Sequence, residues 1–372
     1  MKKSIFVIED VRELLPMYRN LFSLLTLGVL LTACSRTAPH IVVVCEENNV
    51  GNCIVKWEMY PFAKGKVKVY ASTNPDLIPE EVPIAMADVT DQKLTVITTD
   101  PVRRYYYTLV FDDRYRVKVA TRNINIPGIQ NFRDLGGYPS YSTKKSVRWG
   151  MLYRSAEIDS LEDSSIGELK NLGIKTIIDL RSLIEVNSRT DLRKDFDVVH
   201  LPIGIGEIEN LLKEANEQKI KSDTACRIAE RMERDLAGKL DKEYRQIFDI
   251  LLDKGSYPVV IHCSSGKGST GIVSALLLAA LGVDEETIME DYRFSNDYFN
   301  NPPVSEYAYR LPMRSREVFA PRGCSDDGFL TAIKKEVERR YGDVDTYLQQ
   351  GIGLTKDEIK RLRSMLLVDG GR

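Results

Sequence analysis

From about residue 40 to 122, short β-branched and aromatic runs recur at Ile41–Val44, Cys53–Trp57, Val67–Tyr70, Leu94–Ile97, Tyr105–Phe111 and Tyr115–Ala120. The turn-rich stretches FAKG, STNPD and FDDR separate them, and this spacing predicts a small all-β sandwich. Past residue 123 the pattern changes. Apolar strand-like runs at Thr176–Leu180, Val198–Pro202 and Val259–His262 alternate with helical stretches at Ser164–Leu172, Ile208–Leu252, Gly271–Leu281 and Thr355–Leu367. Strands alternating with helices call for crossover connections and hence an α/β unit. The expected division is residues 34–122 for the sandwich, 123–130 for a linker and 131–368 for the α/β domain. A chain of 372 residues has room for two such cores.

The amino terminus carries a different signal. Arg19 precedes an apolar run, Leu21 to Leu31, that leads into Thr32, Ala33 and Cys34. The run is short for a bilayer span and small residues abut the cysteine, a pattern that resembles a bacterial lipoprotein signal. Residues 1–33 are therefore expected to be removed, with lipid attached at Cys34 and the protein held in the bacterial cell envelope outside the cytoplasm. Glu9, Asp10 and Glu13 are foreign to a basic leader, which makes Met17 an alternative start.

Composition narrows the partners. With 52 basic and 54 acidic residues the formal charge is -2, so no global field attracts nucleic acid, and none is expected as a partner. Export permits disulfides. Cys45 and Cys53 flank the loop EENNVGN and are candidates for a hairpin bridge, which leaves Cys226, Cys263 and Cys324, an odd number. The sandwich spacing resembles a fibronectin type III or immunoglobulin-like module. By itself such a fold implies no function, and a spacer role is the expectation.

The stretch VVIHCSSGKGSTG, Val259–Gly271, carries the chemistry. An apolar strand delivers His262 and Cys263 to a glycine-rich turn, and the run GIVSALLLAALG continues as a helix. The first amides of a helix have no internal acceptor and point at whatever lies in front, so strand, loop and helix start form an anion site. The same field favours a thiolate. Gly266, Gly268 and Gly271 allow the backbone to approach phosphate closely. Two other readings exist: a buried cysteine that merely ends a strand, and an ATP-binding turn, which Ile261 at the early glycine position disfavours.

HCSSGKGSTG resembles the signature loop of cysteine-dependent protein tyrosine phosphatases, in the bacterial branch that reads HCxxGKDRTG. NFRDLGGY (Asn131–Tyr138), YRSAEI (Tyr153–Ile158), IIDLRSLIEV (Ile177–Val186), MEDYRFSNDY (Met289–Tyr298) and YLQQGIGLTKDEIKRLRSMLL (Tyr347–Leu367) resemble that branch in the same order. The resemblance implies an α/β cysteine-phosphatase fold, a central sheet flanked by helices, behind the sandwich. It implies phosphate-monoester hydrolysis without metal or cofactor, acting on a phosphorylated protein, a phosphoinositide or a small phosphate ester. Cys263 would form a phosphocysteine with support from His262. Ser264, Ser265, Gly266, Lys267, Gly268, Ser269 and Thr270 would line the cradle, joined by Arg181, with Asp179 as candidate acid. Arg133, Asp134 and Arg154 read as structural ion-pair formers, and Ile208–Leu252 as a lid or a solvated helix.

The loop departs from the pattern at two positions. The arginine six residues beyond the cysteine is Ser269 here, and the aspartate before it is Gly268. An arginine fork holds two phosphate oxygens at once, which the point charge of Lys267 does not reproduce. The chain is thus expected to be an attenuated hydrolase or, alternatively, a catalytically impaired binder of phosphate or phosphoprotein.

Overall fold

The alternation of inward and outward side chains is visible in β2 (Cys53–Tyr60), where Cys53, Val55 and Trp57 are buried and Lys56 and Glu58 face outward. The computed structural model describes residues 38–47, 52–98, 103–181, 191–203, 241–299 and 328–369. Residues 42–58 and 64–369 belong to one compact unit, and 38–41 with 59–63 to a second, small one. The expected signal segment 1–33, Cys34, Cys226, Cys324 and residues 208–240 of the expected long helix lie outside the described residues, as does much of the IIDLRSLIEV motif.

Among the described residues before 123, the pairs Cys53–Lys56 with Lys93–Val96, Lys66–Val69 with Ala85–Asp88, Val67–Ser72 with Tyr106–Phe111 and Tyr106–Phe111 with Tyr115–Ala120 are antiparallel. With β1 (His40–Glu47), β3 (Lys66–Ser72), β4 (Ala85–Asp88), β5 (Lys93–Val96), β6 (Tyr106–Phe111) and β7 (Tyr115–Ala120), β2 forms sheets ordered β1-β2-β5 and β4-β3-β6-β7. Trp57 of the first sheet meets Phe111 of the second edge-on, ring centroids 6.1 Å apart, and its indole N–H donates to the Val89 carbonyl. Cys45 and Cys53 are bonded, as the spacing allowed. Strand β4 has no counterpart among the six apolar runs. Ala85, Met86 and Ala87 show little β-branched character, and the strand exists because its backbone pairs with Lys66–Val69.

The remaining strands are β8 (Arg133–Asp134), β9 (Pro139–Ser140), β10 (Lys145–Val147), β11 (Leu152–Ser155), β12 (Thr176–Asp179), β13 (Asp197–His200), β14 (Val259–His262) and β15 (Leu367–Asp369). The central sheet is ordered β13-β12-β14-β11-β8. Strands β11 to β14 are mutually parallel where they pair, and β8 closes one edge antiparallel. Helices are α1 (Asp163–Asn171), α2 (Asp241–Leu251), α3 (Gly268–Ala280), α4 (Glu285–Tyr298), α5 (Gly328–Tyr341) and α6 (Lys356–Leu366). Helix α6 is started by a capping box in which Thr355 and Glu358 exchange side-chain-to-backbone bonds.

Helix α3 is apolar on nearly every face, with Ile272, Val273, Leu277 and Leu278 buried, which marks it as the central helix of the core. It packs with α2, α6 and the face of β14 in one cluster that includes Phe248, Ile261, Leu362 and Cys263. The α/β region and the sandwich share a buried seam. Arg104 donates to Asp134 at 2.7 Å and to the Tyr153 hydroxyl at 3.1 Å, while the Arg122 guanidinium lies 3.7 Å from the centre of the Tyr138 ring. No described helix is long and apolar enough to cross a membrane.

Candidate active site

Strand β14 lies between β12 and β11, and its register pairs His262 with Asp179 on one side and Ser155 on the other. The next residue, Cys263, is buried, and its sulfur accepts the Gly266 N–H at 3.3 Å. Three successive loop carbonyls are taken by donors from the surrounding scaffold. Glu157 N–H reaches Ser264 O at 3.2 Å, Asn131 Nδ2 reaches Ser265 O at 3.1 Å, and Arg154 Nη2 reaches Gly266 O at 2.6 Å. In a trans peptide the carbonyl and the following N–H point in opposite directions. Pinning these carbonyls to the scaffold therefore turns the amides of Ser265, Gly266 and Lys267 the other way, where that of Gly266 meets the sulfur and that of Lys267 donates to Ser265 Oγ at 3.3 Å.

The first amide of α3 to find a carbonyl is that of Gly271, which donates to Lys267 O at 2.9 Å. The amides of Gly268, Ser269 and Thr270 come before it and lie at the positive end of the helix. Thr270 is fully buried, and its hydroxyl has no partner among the described residues. Gly266 adopts φ +71°, and a Cβ there would fall 2.5 Å from the Ser155 carbonyl. No other residue type fits this turn without moving the β11 backbone. The arrangement holds a sulfur among inward-facing amides, which is a receptor for a tetrahedral oxyanion.

The flank on the β12 side is ionic. Arg181 forks onto Asp179 (Nε–Oδ1 3.0 Å, Nη2–Oδ2 2.7 Å) and also donates to Asp159. Burial opposes ionisation of Asp179, yet the Arg181 hydrogen bonds and the neighbouring His262 hold its carboxyl below the ordinary value. Burial pushes the His262 imidazole down to about 4, with Asp179, 3.8 Å away, resisting and Arg181 contributing to the fall. At neutral pH His262 is uncharged, Asp179 holds no proton to donate, and Arg181 is engaged by carboxylates. The three residues form a positioning cluster under the loop.

A second cluster links motifs that are far apart in the sequence. Asp291 of α4 receives Arg133 Nε at 3.0 Å, Arg154 Nη1 at 2.6 Å and the Tyr138 hydroxyl at 3.0 Å. Arg133 also donates to the side chains of Asn131 and Ser295. NFRDLGGY, YRSAEI and MEDYRFSNDY thus converge on one buried carboxylate, and Arg154 and Asn131 pass that order to the cysteine loop. The expected structural role of Arg133, Asp134 and Arg154 describes this geometry. Their partners, Asp291 and Arg104, were not legible in the sequence as pairs. Two arginines in apolar motifs nevertheless call for a buried acid somewhere in the chain.

A sequence model of the tyrosine phosphatase family matches residues 124–368, about two thirds of the chain. The chain belongs to the tyrosine phosphatase family. It is 27% identical over 281 residues to a triple specificity protein phosphatase, PtpB, of Mycobacterium tuberculosis, covering 65% of this chain and 98% of that one. It is 28% identical over 222 residues to a tyrosine-protein phosphatase of Nostoc commune, covering 57% and 73%. A crystal structure of Pseudomonas aeruginosa TpbA aligns over 54% of this chain and 96% of its own, with 16% identity and a TM-score of 0.23.

The expected cradle residues Ser264, Ser265, Gly266, Lys267, Gly268, Ser269 and Thr270 run from the end of β14 into the first turn of α3, and of these the Gly266 amide meets the sulfur. Two of them face elsewhere. Lys267 Nζ bonds Asn296 at 3.2 Å and lies 5.6 Å from the Phe299 ring centre, and burial lowers its affinity for a proton. Ser269, 3% exposed, donates to the Ile203 carbonyl at 3.3 Å. Among the described residues no three His, Cys, Asp or Glu side chains converge in the manner of a metal site. Glu157 and Asp159, absent from the sequence-based site, stand beside the loop. Glu157 lies within the YRSAEI motif and Asp159 directly follows it.

Proposed function

We propose that this member of the tyrosine phosphatase family hydrolyses phosphate monoesters through a phosphocysteine on Cys263, at a rate reduced by the serine at position 269. The observation that carries this reading is the Cys263 sulfur at the end of the central strand, bonded by the Gly266 amide at 3.3 Å and faced by the start of α3. Amides already fixed in place stabilise charge as it develops on the equatorial oxygens. Likeness to a relative named for triple specificity supports phosphoprotein and phosphoinositide-like esters as the substrate class.

A second reading rests on a specific feature. No guanidinium among the described residues serves the cradle, since Arg154 and Arg181 are committed to carboxylates and to a loop carbonyl. The protein would then bind phosphate or phosphoprotein without turning it over. Release of p-nitrophenol from p-nitrophenyl phosphate by wild type and Cys263→Ser separates the two. Turnover abolished by Cys263→Ser supports the hydrolase. Vanadate binding with no turnover supports the binder, and absence of both overturns the cradle.

We further propose that residues 1–33 are a lipoprotein signal, that Cys34 carries lipid, and that residues 34–122 space the 131–368 domain from a membrane outside the cytoplasm. The Cys45–Cys53 bond supports this, because such bonds persist in oxidising compartments. In cells fed labelled palmitate, the wild type is expected to take up label and Cys34→Ser to take up none. Equal labelling of both would end the proposal.

A further inference from the structure

A cavity of about 520 Å³ opens on the seam between the sandwich and the α/β region. Its walls include Met151 and Pro258, the residues just ahead of β11 and β14. Cys263 follows the opposite end of β14, roughly 15 Å of extended chain from Pro258. The cavity is therefore separate from the cysteine loop.

Its lining is polar yet carries no net charge. Arg103 and Arg104 are matched by Glu47 and Glu168, while three tyrosines, three threonines and three asparagines add hydroxyl and amide groups. Such a wall has no field to draw in a phosphate or another anion. It also offers too many polar groups for a purely apolar guest, which would leave them unpaired. Hydroxyls and amides donate as well as accept, so they suit a ligand whose own groups do both.

Two groups on the wall are short of partners. The Arg104 side chain is only 8% exposed, and its terminal nitrogens donate to Asp134, to the Tyr106 and Tyr153 hydroxyls and to the Thr121 carbonyl. Its Nε is buried with no acceptor among the described residues, and a buried donor left so is costly. Glu168 of α1 is half-buried, and burial raises the proton affinity of its carboxyl with no described cation to offset the effect. The wall thus presents an unmet donor and an unmet acceptor.

We propose that this cavity is a binding site for a short uncharged saccharide. A sugar hydroxyl can accept from Arg104 Nε while another donates to Glu168. Tyrosines supply flat apolar faces for the carbon side of a sugar ring, next to polar tips for its hydroxyls. The volume falls within the range of small-molecule sites, roughly 300 to 1,000 Å³.

The test is saturation-transfer NMR on the full chain with glucose, maltotriose, cellobiose, N-acetylglucosamine and chitobiose, and with glutamate and inorganic phosphate as charged controls. At least one saccharide is expected to bind the wild type. Asn171→Trp fills the cavity from an exposed position at the end of α1, and Glu168→Leu removes the acceptor. Each should weaken that saccharide by about tenfold or more while keeping the wild-type unfolding midpoint. Cys263→Ser should bind it as the wild type does, whether or not the protein is a phosphatase. Binding of no saccharide in the panel overturns the proposal, as does binding that survives both cavity variants or is lost in Cys263→Ser. Binding of glutamate alone would keep a ligand in the protein but overturn the saccharide assignment.

Discussion

Replacing Ser269 with arginine should raise turnover of p-nitrophenyl phosphate by roughly two to four powers of ten. An arginine fork adds two charge-assisted hydrogen bonds to the phosphoryl oxygens. At about 1.5 to 3 kcal/mol each, they convert to that factor when realised in the transition state. Position 269 is the second residue of α3. The substitution gives up the hydroxyl bond to the Ile203 carbonyl, worth on the order of 1 kcal/mol, and must seat a larger side chain where Ser269 is buried. Lysine at the same position should recover much less, because a point charge cannot hold two oxygens in the plane of a fork. The gain should appear in kcat more than in KM, since the fork acts where charge builds. An arginine variant that binds vanadate normally yet turns over no faster than wild type would show that the side chain has no route into the cradle.

The largest effect on stability is expected at Asp291. Asp291→Ala leaves two buried guanidiniums facing each other without a counter-ion, and should cost roughly 3 to 5 kcal/mol in denaturant unfolding. The carboxylate accepts from Arg133, Arg154 and Tyr138 at 2.6 to 3.0 Å, and every partner is buried. Burial alone would raise its pKa, but Arg133 and Arg154 reverse that and hold it well below the ordinary carboxylate range. The sign of the pH dependence follows. A carboxylate with a depressed folded-state pKa contributes stability above its unfolded pKa, about 4. That contribution erodes as pH falls through and below that value. Asp291→Asn should therefore be less stable than wild type at pH 7, and the gap should narrow toward pH 3. A loss under 1 kcal/mol for Asp291→Ala, or a gap constant with pH, would show that the two guanidiniums find other partners.

These two positions also show what the local pattern was able to carry. Ser269 could be located without coordinates, because the distance from Cys263 along a strand, loop and helix start is a property of consecutive residues. Helix α6 was similarly legible as the helical stretch Thr355–Leu367. Helix α3 begins at Gly268, ahead of the expected Gly271, because residues 268–270 contribute only amides there and no apolar periodicity. Strand β4 went unseen because Ala85–Asp88 pairs through its backbone, and hydropathy records side chains.

Asp179, Arg181 and His262 illustrate the opposite case. Their residue types suit an acid, a phosphate ligand and a support for the Cys263 thiolate, yet burial and mutual pairing leave Asp179 ionised, Arg181 occupied and His262 uncharged at neutral pH. Proton affinity depends on what lies within a few ångströms, and those neighbours come from β11, β12 and β14, separated by long stretches of chain.

By itself the sequence determined the order of the two regions, the family, the candidate nucleophile and the two departures in its loop, since each is written in consecutive residues. Only the tertiary structure decided that Asp291 joins three motifs under the loop and that Arg181 is already occupied. Those facts depend on the sheet order β12-β14-β11, which brings distant segments side by side and so creates contacts that local spacing does not encode.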